Sequence, residues 1–345
     1  MRFNDLQKEY EHFAHKISPA VSEVMHSGNY LFGSQLAELE SSFAKMIGTK
    51  HAIGVKNCTD AIMLILKAVY KKGMTVILPN FGAYPTAVAV KNITKNIHYV
   101  DVDLSLTIDP KDLPVIKNGI VICVHLFGTN CNMVKIKEYC DRFNHILIED
   151  CAQSTGSGSG AVGDYSVFSF YPTKPLASMG DGGMICTNND RTIFDAMRFY
   201  GWNNGQIDVV GINSRMDEIQ CAIVNSKMDG FQELNNRRIA IANRYKQIIR
   251  GTDSTRGSVY HQFVVLFRKR SLILKKMEEK KIPYMIHYKK HVEDMHALRT
   301  KNGLGAGFRV SDKCVSLPCH PFMTDSEIQM VEEFLEKCRG YEYAG

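Results

Sequence analysis

The sequence predicts an α/β protein with a mostly parallel sheet between helices, followed by a second, smaller α+β domain. Short apolar runs alternate with amphipathic helical segments from residue 52 to residue 187, which is the pattern of such a sheet. A polar, turn-rich stretch at 251–257 precedes further strand-like and helical segments. Because 345 residues are enough for two units, we place the large domain at 1–229 and the small one at 230–345.

Hydrophobic periodicity gives the elements in order. Two amphipathic helices come first, at 5–26 and 33–47. The strands predicted next are 52–55, 75–78, 97–100, 120–124, 146–148 and 184–187, and the helices between and after them are 61–70, 85–91, 133–143 and 192–199. A turn at 211–215 then begins a long helix through 227, and the small domain has helices at 232–249, 272–280 and 325–338 with a strand-like run at 260–267.

The composition excludes several classes of protein. Apolar residues make up 45% of the chain and charged residues 23%, which is ordinary for a globular protein. No window approaches the roughly 18 uninterrupted apolar residues of a membrane span, and the charged N-terminal residues lack the apolar core of a secretion signal. Ten scattered cysteines favour reduced thiols over a disulfide framework or a zinc site. The formal charge of +6 is spread too thinly for nucleic-acid binding. We therefore expect a cytoplasmic protein without metal, nucleic-acid or membrane partners.

The stretch 168–183 contains the strongest chemical signal. Lys174 follows a strand-like aromatic run and lies in a turn that Pro172 and Pro175 hold stiff, before a glycine-rich run at 180–183. We interpret Lys174 as a lysine that forms a Schiff base with pyridoxal phosphate (PLP). Such a site also needs a carboxylate at the pyridine nitrogen, a planar group over the ring, and donors for the phosphate.

Candidates for the carboxylate and the phosphate donors lie at predicted strand ends, where ligands of such sheets bind. Asp150 stands at the end of the strand predicted at 146–148. The alternative interpretation is that Asp150 is an ordinary helix N-cap. Glu149 competes with it but points to the opposite side of the sheet. The turn 57–60 offers free backbone N–H groups, the Thr59 hydroxyl and a helix N-terminus to a phosphate. An ordinary N-cap by Asn57 or Thr59 is the alternative interpretation, and it is the simpler one when the turn is taken alone.

Two further positions complete the set of candidates. Tyr84 or Phe81, in the loop 79–84, could stack on the cofactor ring, although loop aromatics are commonly packing residues. Ser169 precedes Lys174 by five positions, which is close enough for both to face one cofactor.

The order of these signals resembles the DegT/DnrJ/EryC1/StrS family of sugar aminotransferases. That family has the fold-type-I architecture of aspartate aminotransferase. The matching segments, which span nearly the whole chain, are SGNYLFG (27–33), NCTDAI (57–62), HLFG (125–128), IEDCAQS (148–154), FSFYPTK (168–174), GDGG (180–183), YGW (200–202), GINSRMDEIQCA (211–222), IHY (286–288) and LPCHP (317–321). The resemblance implies an aspartate-aminotransferase-like three-layer large domain with a smaller α+β C-terminal domain.

The resemblance also implies roles for matched positions at the ring. Lys174 matches the catalytic, Schiff-base lysine, and Asp150 matches the partner of the pyridine nitrogen. Gln153 matches a residue near the ring hydroxyl. The register of the loop 79–84 makes Tyr84 the ring-stacking residue. Near the sugar, the matched positions are Tyr171, His287 and Tyr288.

Further matched positions bind the phosphate. Thr59, the backbone of Cys58 and Ser169 match phosphate ligands, and Asn213 matches an asparagine that reaches the phosphate across a homodimer interface. The chain departs from the family pattern at Cys58, where glycine or serine is usual, and at Pro175, where asparagine is frequent. A lysine at position 174 argues against the family members that carry histidine there and perform dehydration.

The function that the resemblance implies is transfer of an amino group from L-glutamate to a nucleotide-linked keto-6-deoxy sugar, in surface-glycan (lipopolysaccharide) or antibiotic biosynthesis. The N-terminal segments and the matches at Tyr171, His287 and Tyr288 favour C-3 of a dTDP-linked 3-keto-6-deoxyhexose. Amination at C-4, amination of a cyclitol, and a non-catalytic cofactor-binding regulator are the alternatives.

Overall fold

The structure is a computed structural model that describes residues 1–249, 257–300 and 310–342. The polar, turn-rich stretch at 251–257 therefore lies outside the described residues, except for Gly257. The division into domains at 229/230 stays a prediction.

A seven-stranded sheet forms the centre of the molecule, in the order β1-β7-β6-β5-β4-β2-β3. Its strands are β1 (His51–Val55), β2 (Val76–Pro79), β3 (Ile97–Val100), β4 (Ile120–Val124), β5 (Ile146–Asp150), β6 (Tyr165–Ser169) and β7 (Gly183–Thr187). Strands β2 to β6 pair in parallel, whereas β7 lies antiparallel to both β6 and β1. Every residue of β4 is buried, as expected for a strand covered on both faces.

Helices cover both faces of this sheet. They are α1 (Leu6–Ser27), α2 (Ser34–Ile47), α3 (Cys58–Val69), α4 (Tyr84–Ile93), α5 (Met133–Phe143), α6 (Thr192–Met197) and α7 (Glu218–Met228). Apolar side chains of α3 and α4 pack on one face, and those of α5 pack on the other. Helices α2 and α7 bury a third apolar cluster at the β7 side. The three layers give the arrangement that the alternating pattern predicts.

A buried carboxylate joins helices α2 and α7. Glu218 accepts hydrogen bonds from the backbone N–H groups of Gly33 (3.0 Å), Gln35 (2.8 Å) and Leu36 (3.0 Å). Helix α2 has no side-chain cap of its own, so Glu218 satisfies the amides at its N-terminus and meets the positive end of its dipole.

The C-terminal part has its own apolar core. Helices α8 (Phe231–Ile248), α9 (Arg270–Glu279) and α10 (Asp325–Glu336) pack around the antiparallel pair β10 (Phe263–Leu266) and β11 (Cys314–Leu317). The N-terminal segment touches this part as well, because Lys8 Nζ donates to the Phe322 carbonyl (3.4 Å).

The fold class is confirmed, and the order of predicted elements recurs with ends shifted by a few residues. Two short strands, β8 (Trp202–Asn203) and β9 (Gln206–Ile207), form a hairpin that the sequence did not predict, and β11 was also missed. The helix expected after the turn at 211–215 begins at Glu218. None of the helices in the described part of the chain has the length and apolarity needed to cross a membrane.

Candidate active site

A cavity of about 590 Å³ opens at the carboxyl ends of β4, β5 and β6. Its size lies within the roughly 300–1,000 Å³ that is usual for small-molecule sites. Seven of the predicted site residues line it: Cys58, Thr59, Asp150, Gln153, Ser169, Tyr171 and Lys174. Tyr84, Asn213, His287 and Tyr288 are not part of its wall.

Lys174 lies in a compact turn after β6. The turn is closed by a hydrogen bond from Lys174 N to the Tyr171 carbonyl (2.9 Å), and Ser178 anchors its far end on the Phe170 carbonyl through backbone N (2.7 Å) and Oγ (2.8 Å). Burial lowers the pKa of the Lys174 amine, and the nearby Cys58 and Asp150 oppose this shift. A larger fraction of this amine is therefore neutral near pH 7 than for an exposed lysine.

Asp150 is the last residue of β5 and is 3% exposed. Its Oδ2 accepts a hydrogen bond from Thr86 Oγ1 (2.6 Å), and its Oδ1 accepts one from the Ala152 backbone N (3.1 Å). Cys58 Sγ lies 4.0 Å from Oδ1. These donors fix the direction of the carboxylate, which faces the same cavity as Lys174.

The N-terminus of α3 forms a cradle at the other end of the cavity. Asn57 caps the helix, because its side chain accepts from Asp60 N (2.8 Å). The cap leaves the N–H groups of Cys58 and Thr59 without a partner among the described residues. The 7% exposed Ser169 lines the same cavity. Asn57 therefore caps the helix while the next two amides stay available to an anion, and a phosphate site at this turn stays a prediction.

The cradle depends on a close backbone approach at Gly183. A Cβ there would lie 2.5 Å from the Asn57 carbonyl carbon and 2.7 Å from Cys58 N. Real Cβ atoms do not approach backbone atoms this closely, so only glycine allows β7 to start directly behind the first turn of α3.

Gln153 is held at both ends of its side-chain amide. Its Oε1 accepts from Phe127 N (2.7 Å), and its Nε2 donates to the Tyr288 hydroxyl (3.1 Å). Burial raises the pKa of Tyr288 to about 12, so this hydroxyl stays protonated. The Tyr288 ring stacks on Phe127, with centroids 6.3 Å apart. Tyr288 thus acts on the cavity through Gln153, which keeps one Nε2 hydrogen for a ligand.

The aromatic residues of the loop 79–84 turn away from the cavity. Phe81 is 1% exposed and packs against Phe127 and His291. The Tyr84 hydroxyl donates to the Lys290 carbonyl (3.4 Å). The wall position is occupied by Ala83 instead. Tyr84 therefore lies outside the cavity wall in this structure, and its role as the ring-stacking residue stays a prediction.

The remaining predicted residues are Tyr171, His287 and Asn213, of which Tyr171 alone lines the cavity. Tyr171 is 53% exposed at its mouth. His287 donates or accepts a hydrogen bond at Ser316 Oγ (2.8 Å), and burial together with the Lys174 charge lowers its pKa to about 4. Asn213 is exposed, and its side chain accepts from Arg215 Nε (3.0 Å). The role of Asn213 at a partner's phosphate stays a prediction.

Sequence reasoning missed two residues. Thr86 binds Asp150 from the first turn of α4, and His261 lies beside Lys174 at the start of the β10 region. Neither stands in a chemical motif of its own. A threonine two residues after Tyr84, in a helix start that faces strand ends, was the one available signal for Thr86.

Glu149 points to the opposite side of the sheet from Asp150, as the alternation of a strand predicts. It accepts from His125 Nε2 (3.0 Å), Gly160 N (3.0 Å), Val162 N (2.8 Å) and Gly163 N (2.7 Å). His125 and Cys151 lie within metal-ligand distance of it. Because Nδ1 of His125 accepts from Cys131 N (3.0 Å), both ring nitrogens are already engaged. We assign Glu149 to holding the loop 160–163.

The residues around the cavity fit pyridoxal phosphate. Free amides at the N-terminus of α3 suit a phosphate, a fixed carboxylate suits a protonated ring nitrogen, and a lysine with a lowered pKa borders both. On a mostly parallel sheet with one antiparallel strand, this set defines a pyridoxal-phosphate-dependent aminotransferase of fold type I.

Comparison with known proteins gives the family. The chain belongs to the DegT/DnrJ/EryC1/StrS aminotransferase family, whose profile matches residues 12–336. It is 31% identical to a dTDP-3-amino-3,6-dideoxy-alpha-D-galactopyranose transaminase of Aneurinibacillus thermoaerophilus, over 97% of this chain and 98% of the relative. It is 27% identical to a UDP-N-acetyl-3-dehydro-alpha-D-glucosamine 3-aminotransferase of Acidithiobacillus ferrooxidans, over 96% of each. The crystal structure of S. venezuelae DesV in complex with a ketimine intermediate is similar, with a TM-score of 0.91, 27% identity and 97% coverage of both chains.

Proposed function

We propose that this aminotransferase moves an amino group from L-glutamate to C-3 of a nucleotide-linked keto sugar, specifically a dTDP-linked 3-keto-6-deoxyhexose. The observation that carries the proposal is Lys174 in one cavity with Asp150 and the phosphate cradle. The names of the two relatives support the position of amination, because both place the amino group at carbon 3 although they differ in nucleotide. The 6-deoxy sugar is favoured by the more similar of these two relatives.

Lys174 performs the acid–base step in this proposal. Bound PLP would supply an electron sink that stabilises negative charge at the carbon that loses a proton. The lowered pKa lets Lys174 Nζ accept that proton and return it near neutral pH. The turn at 171–174 holds the amine at the cavity wall, which limits its search for the reacting carbon.

Asp150 and the cradle orient the cofactor. The carboxylate, held by Thr86 and Ala152 N, would keep a proton on the pyridine nitrogen. The amides of Cys58 and Thr59 would bind the phosphate at the positive end of the α3 dipole.

The sugar would enter beside Tyr171, His287 and Tyr288. Tyr171 stands at the open mouth, and His287 lies close enough to Lys174 to feel its charge. Because burial and Lys174 keep His287 neutral at pH 7, it would contact a sugar hydroxyl as a neutral hydrogen-bonding group.

A homodimer with shared active sites is part of the proposal. Asn213 is exposed next to a hairpin that carries large exposed apolar side chains, with Trp202 51% and Ile207 62% exposed. Exposed apolar side chains of this kind are typical of protein interfaces. We also keep a cytoplasmic location in the proposal, since all ten cysteines are free thiols.

Direct assay of amino transfer tests the proposal. Purified enzyme with PLP and L-glutamate is given a dTDP-linked 3-keto-6-deoxyhexose, its 4-keto isomer, a UDP-linked 3-keto-2-acetamido sugar or a keto-cyclitol, and both 2-oxoglutarate and the amino product are quantified. We expect the dTDP-linked 3-keto sugar to be the best substrate. Preference for the 4-keto isomer or the cyclitol would replace the proposed substrate by one of the two alternatives.

The Lys174→Ala variant separates an enzyme from a cofactor-binding regulator. We expect this variant to lose the visible absorption of the holoenzyme and all amino transfer. Full transfer activity in Lys174→Ala would refute the assignment of the lysine. A wild-type protein that binds PLP but is never converted by glutamate would favour the regulator.

A further inference from the structure

A small chamber lies behind the catalytic lysine, apart from the main cavity. Its volume is about 30 Å³, and the turn at 173–175, helix α8 and the start of the β10 region contribute to its wall through Lys174, Arg238 and His261. About 10–15 Å³ is enough for one water molecule, so the chamber has room for a bridging water but not for a substrate.

Two polar side chains of the chamber wall, His261 and Lys174, make no hydrogen bond with another described residue. His261 is 9% exposed, and its ring makes no hydrogen bond with any described residue. Arg238, 8% exposed, has Asn235 Oδ1 as its one described side-chain acceptor. The Lys174 amine also has no described hydrogen-bond partner. His261 and Lys174 therefore line one chamber with hydrogen-bonding capacity left over, which a direct bond or a shared water would use.

The charges that face His261 come from several elements. Lys174 from the turn after β6, Arg238 from α8 and His287 from the loop before β11 act on its pKa. The same chamber wall also carries Asp5, Glu9 and His320. Burial first, and then Lys174, Arg238 and His287, lower the pKa of His261 well below its usual value. The ring is therefore neutral at pH 7 and offers one N–H donor and one nitrogen acceptor.

We propose that His261 is a positioning residue that serves as the hydrogen-bond partner of the Lys174 amine, directly or through one chamber water, whenever that amine is free. In the proposed function Asp150 binds the ring nitrogen of the cofactor, so it is not available to bind the free Lys174 amine. The chamber side then supplies the group that holds the free amine at the cavity wall. The inference rests on the proposed function only in that Lys174 is freed during turnover.

The first test measures the amine itself and needs no sugar substrate. On the full chain with its cofactor removed by dialysis, trace acylation of Lys174 is followed by mass spectrometry as a function of pH. We expect His261→Phe to shift the labelling midpoint to lower pH, because the ammonium form loses an acceptor. His261→Gln, which keeps an acceptor and a donor, should stay near wild type, as should His15→Gln at an exposed position. An unchanged midpoint in His261→Phe would overturn the proposal.

The second test measures turnover. We expect His261→Phe to lower kcat about tenfold, as for the loss of one hydrogen bond to a charged group, with KM for L-glutamate within about threefold of wild type. His261→Gln should recover most of kcat. A loss of kcat that His261→Gln shares in full would indicate a purely structural role and refute the inference.

A crystal structure of cofactor-free wild-type protein, in which the Lys174 amine is free, covers the case in which His261→Phe fails to fold. We expect the Lys174 amine to be joined to His261 directly or through one ordered water. An amine directed away from the chamber would overturn the proposal. Failure of the proposed function has a different signature, because wild-type enzyme would then transfer no amino group to any keto sugar tested.

Discussion

Thr86→Val should weaken cofactor binding although Thr86 need not touch the cofactor ring. The valine side chain has nearly the same shape but removes the donor that lies 2.6 Å from Asp150 Oδ2. Asp150 Oδ2 then loses its described donor, while Oδ1 keeps the Ala152 N–H and the Cys58 thiol, so the carboxylate can turn toward solvent in the open cavity. A hydrogen bond to a charged group contributes about 1.5–3 kcal/mol. Binding of PLP would then have to turn the Asp150 carboxylate back toward the cavity without the Thr86 hydrogen bond. We therefore expect the PLP dissociation constant to rise about tenfold to hundredfold.

A double-mutant cycle makes this prediction specific. Dissociation constants are measured by equilibrium dialysis for wild type, Thr86→Val, Asp150→Asn and the double variant, with Thr86→Ser as the control that keeps the hydroxyl. We expect Thr86→Ser to lie within about threefold of wild type, and the effect of Thr86→Val to shrink strongly in the Asp150→Asn background. A Thr86→Val effect of equal size in both backgrounds would refute the view that Thr86 acts by orienting Asp150.

Three other outcomes are expected. Ala83→Phe should tighten PLP binding about twofold to tenfold, because an aromatic ring would replace a methyl group at the cavity wall. Equilibrium dialysis measures the dissociation constant, and weaker binding would contradict the placement of residue 83 beside the cofactor. Glu218→Gln should lower the unfolding free energy by about 1.5–3 kcal/mol, since three amides lose a charged acceptor. Urea denaturation would show this loss, and Glu38→Gln, at an exposed position of α2, should change little. Asp150→Asn should shift acylation of Lys174 in cofactor-free enzyme to lower pH, because the carboxylate raises the lysine pKa that burial lowers; an unchanged or raised midpoint would count against this coupling.

The sequence could predict those parts of the site that depend on local order. Asp150 stands at the end of a predicted strand, and Lys174 follows a strand-like aromatic run that contains Ser169. Strand ends of a parallel sheet share one edge, so these side chains had to meet once the alternating pattern was recognised. The α3 cradle was predictable for the same reason, because a turn between a strand and a helix exposes amides whatever the tertiary packing.

Other parts of the site depend on packing that periodicity does not contain. A small change in the backbone of the loop decides whether Phe81, Ala83 or Tyr84 faces the cavity. In the folded protein the Phe81 ring packs in the buried apolar cluster with Phe127. Thr86 and His261 reach the site from elements distant in sequence, and only the assembled fold brings them to Asp150 and Lys174. The exposed hairpin 202–207 was missed because its strands have only two residues each.

Gly183 has a consequence for the interpretation of natural variants. Gly183 contributes no side chain to the cavity. Even an alanine at this position would bring its Cβ into a clash with the backbone at the first turn of α3. That turn carries the amides of Cys58 and Thr59, so a methyl group behind the helix would displace the two N–H groups that we propose as phosphate donors. A change at residue 183 would therefore present as a cofactor-retention defect, and comparing side-chain contacts alone would classify it as harmless.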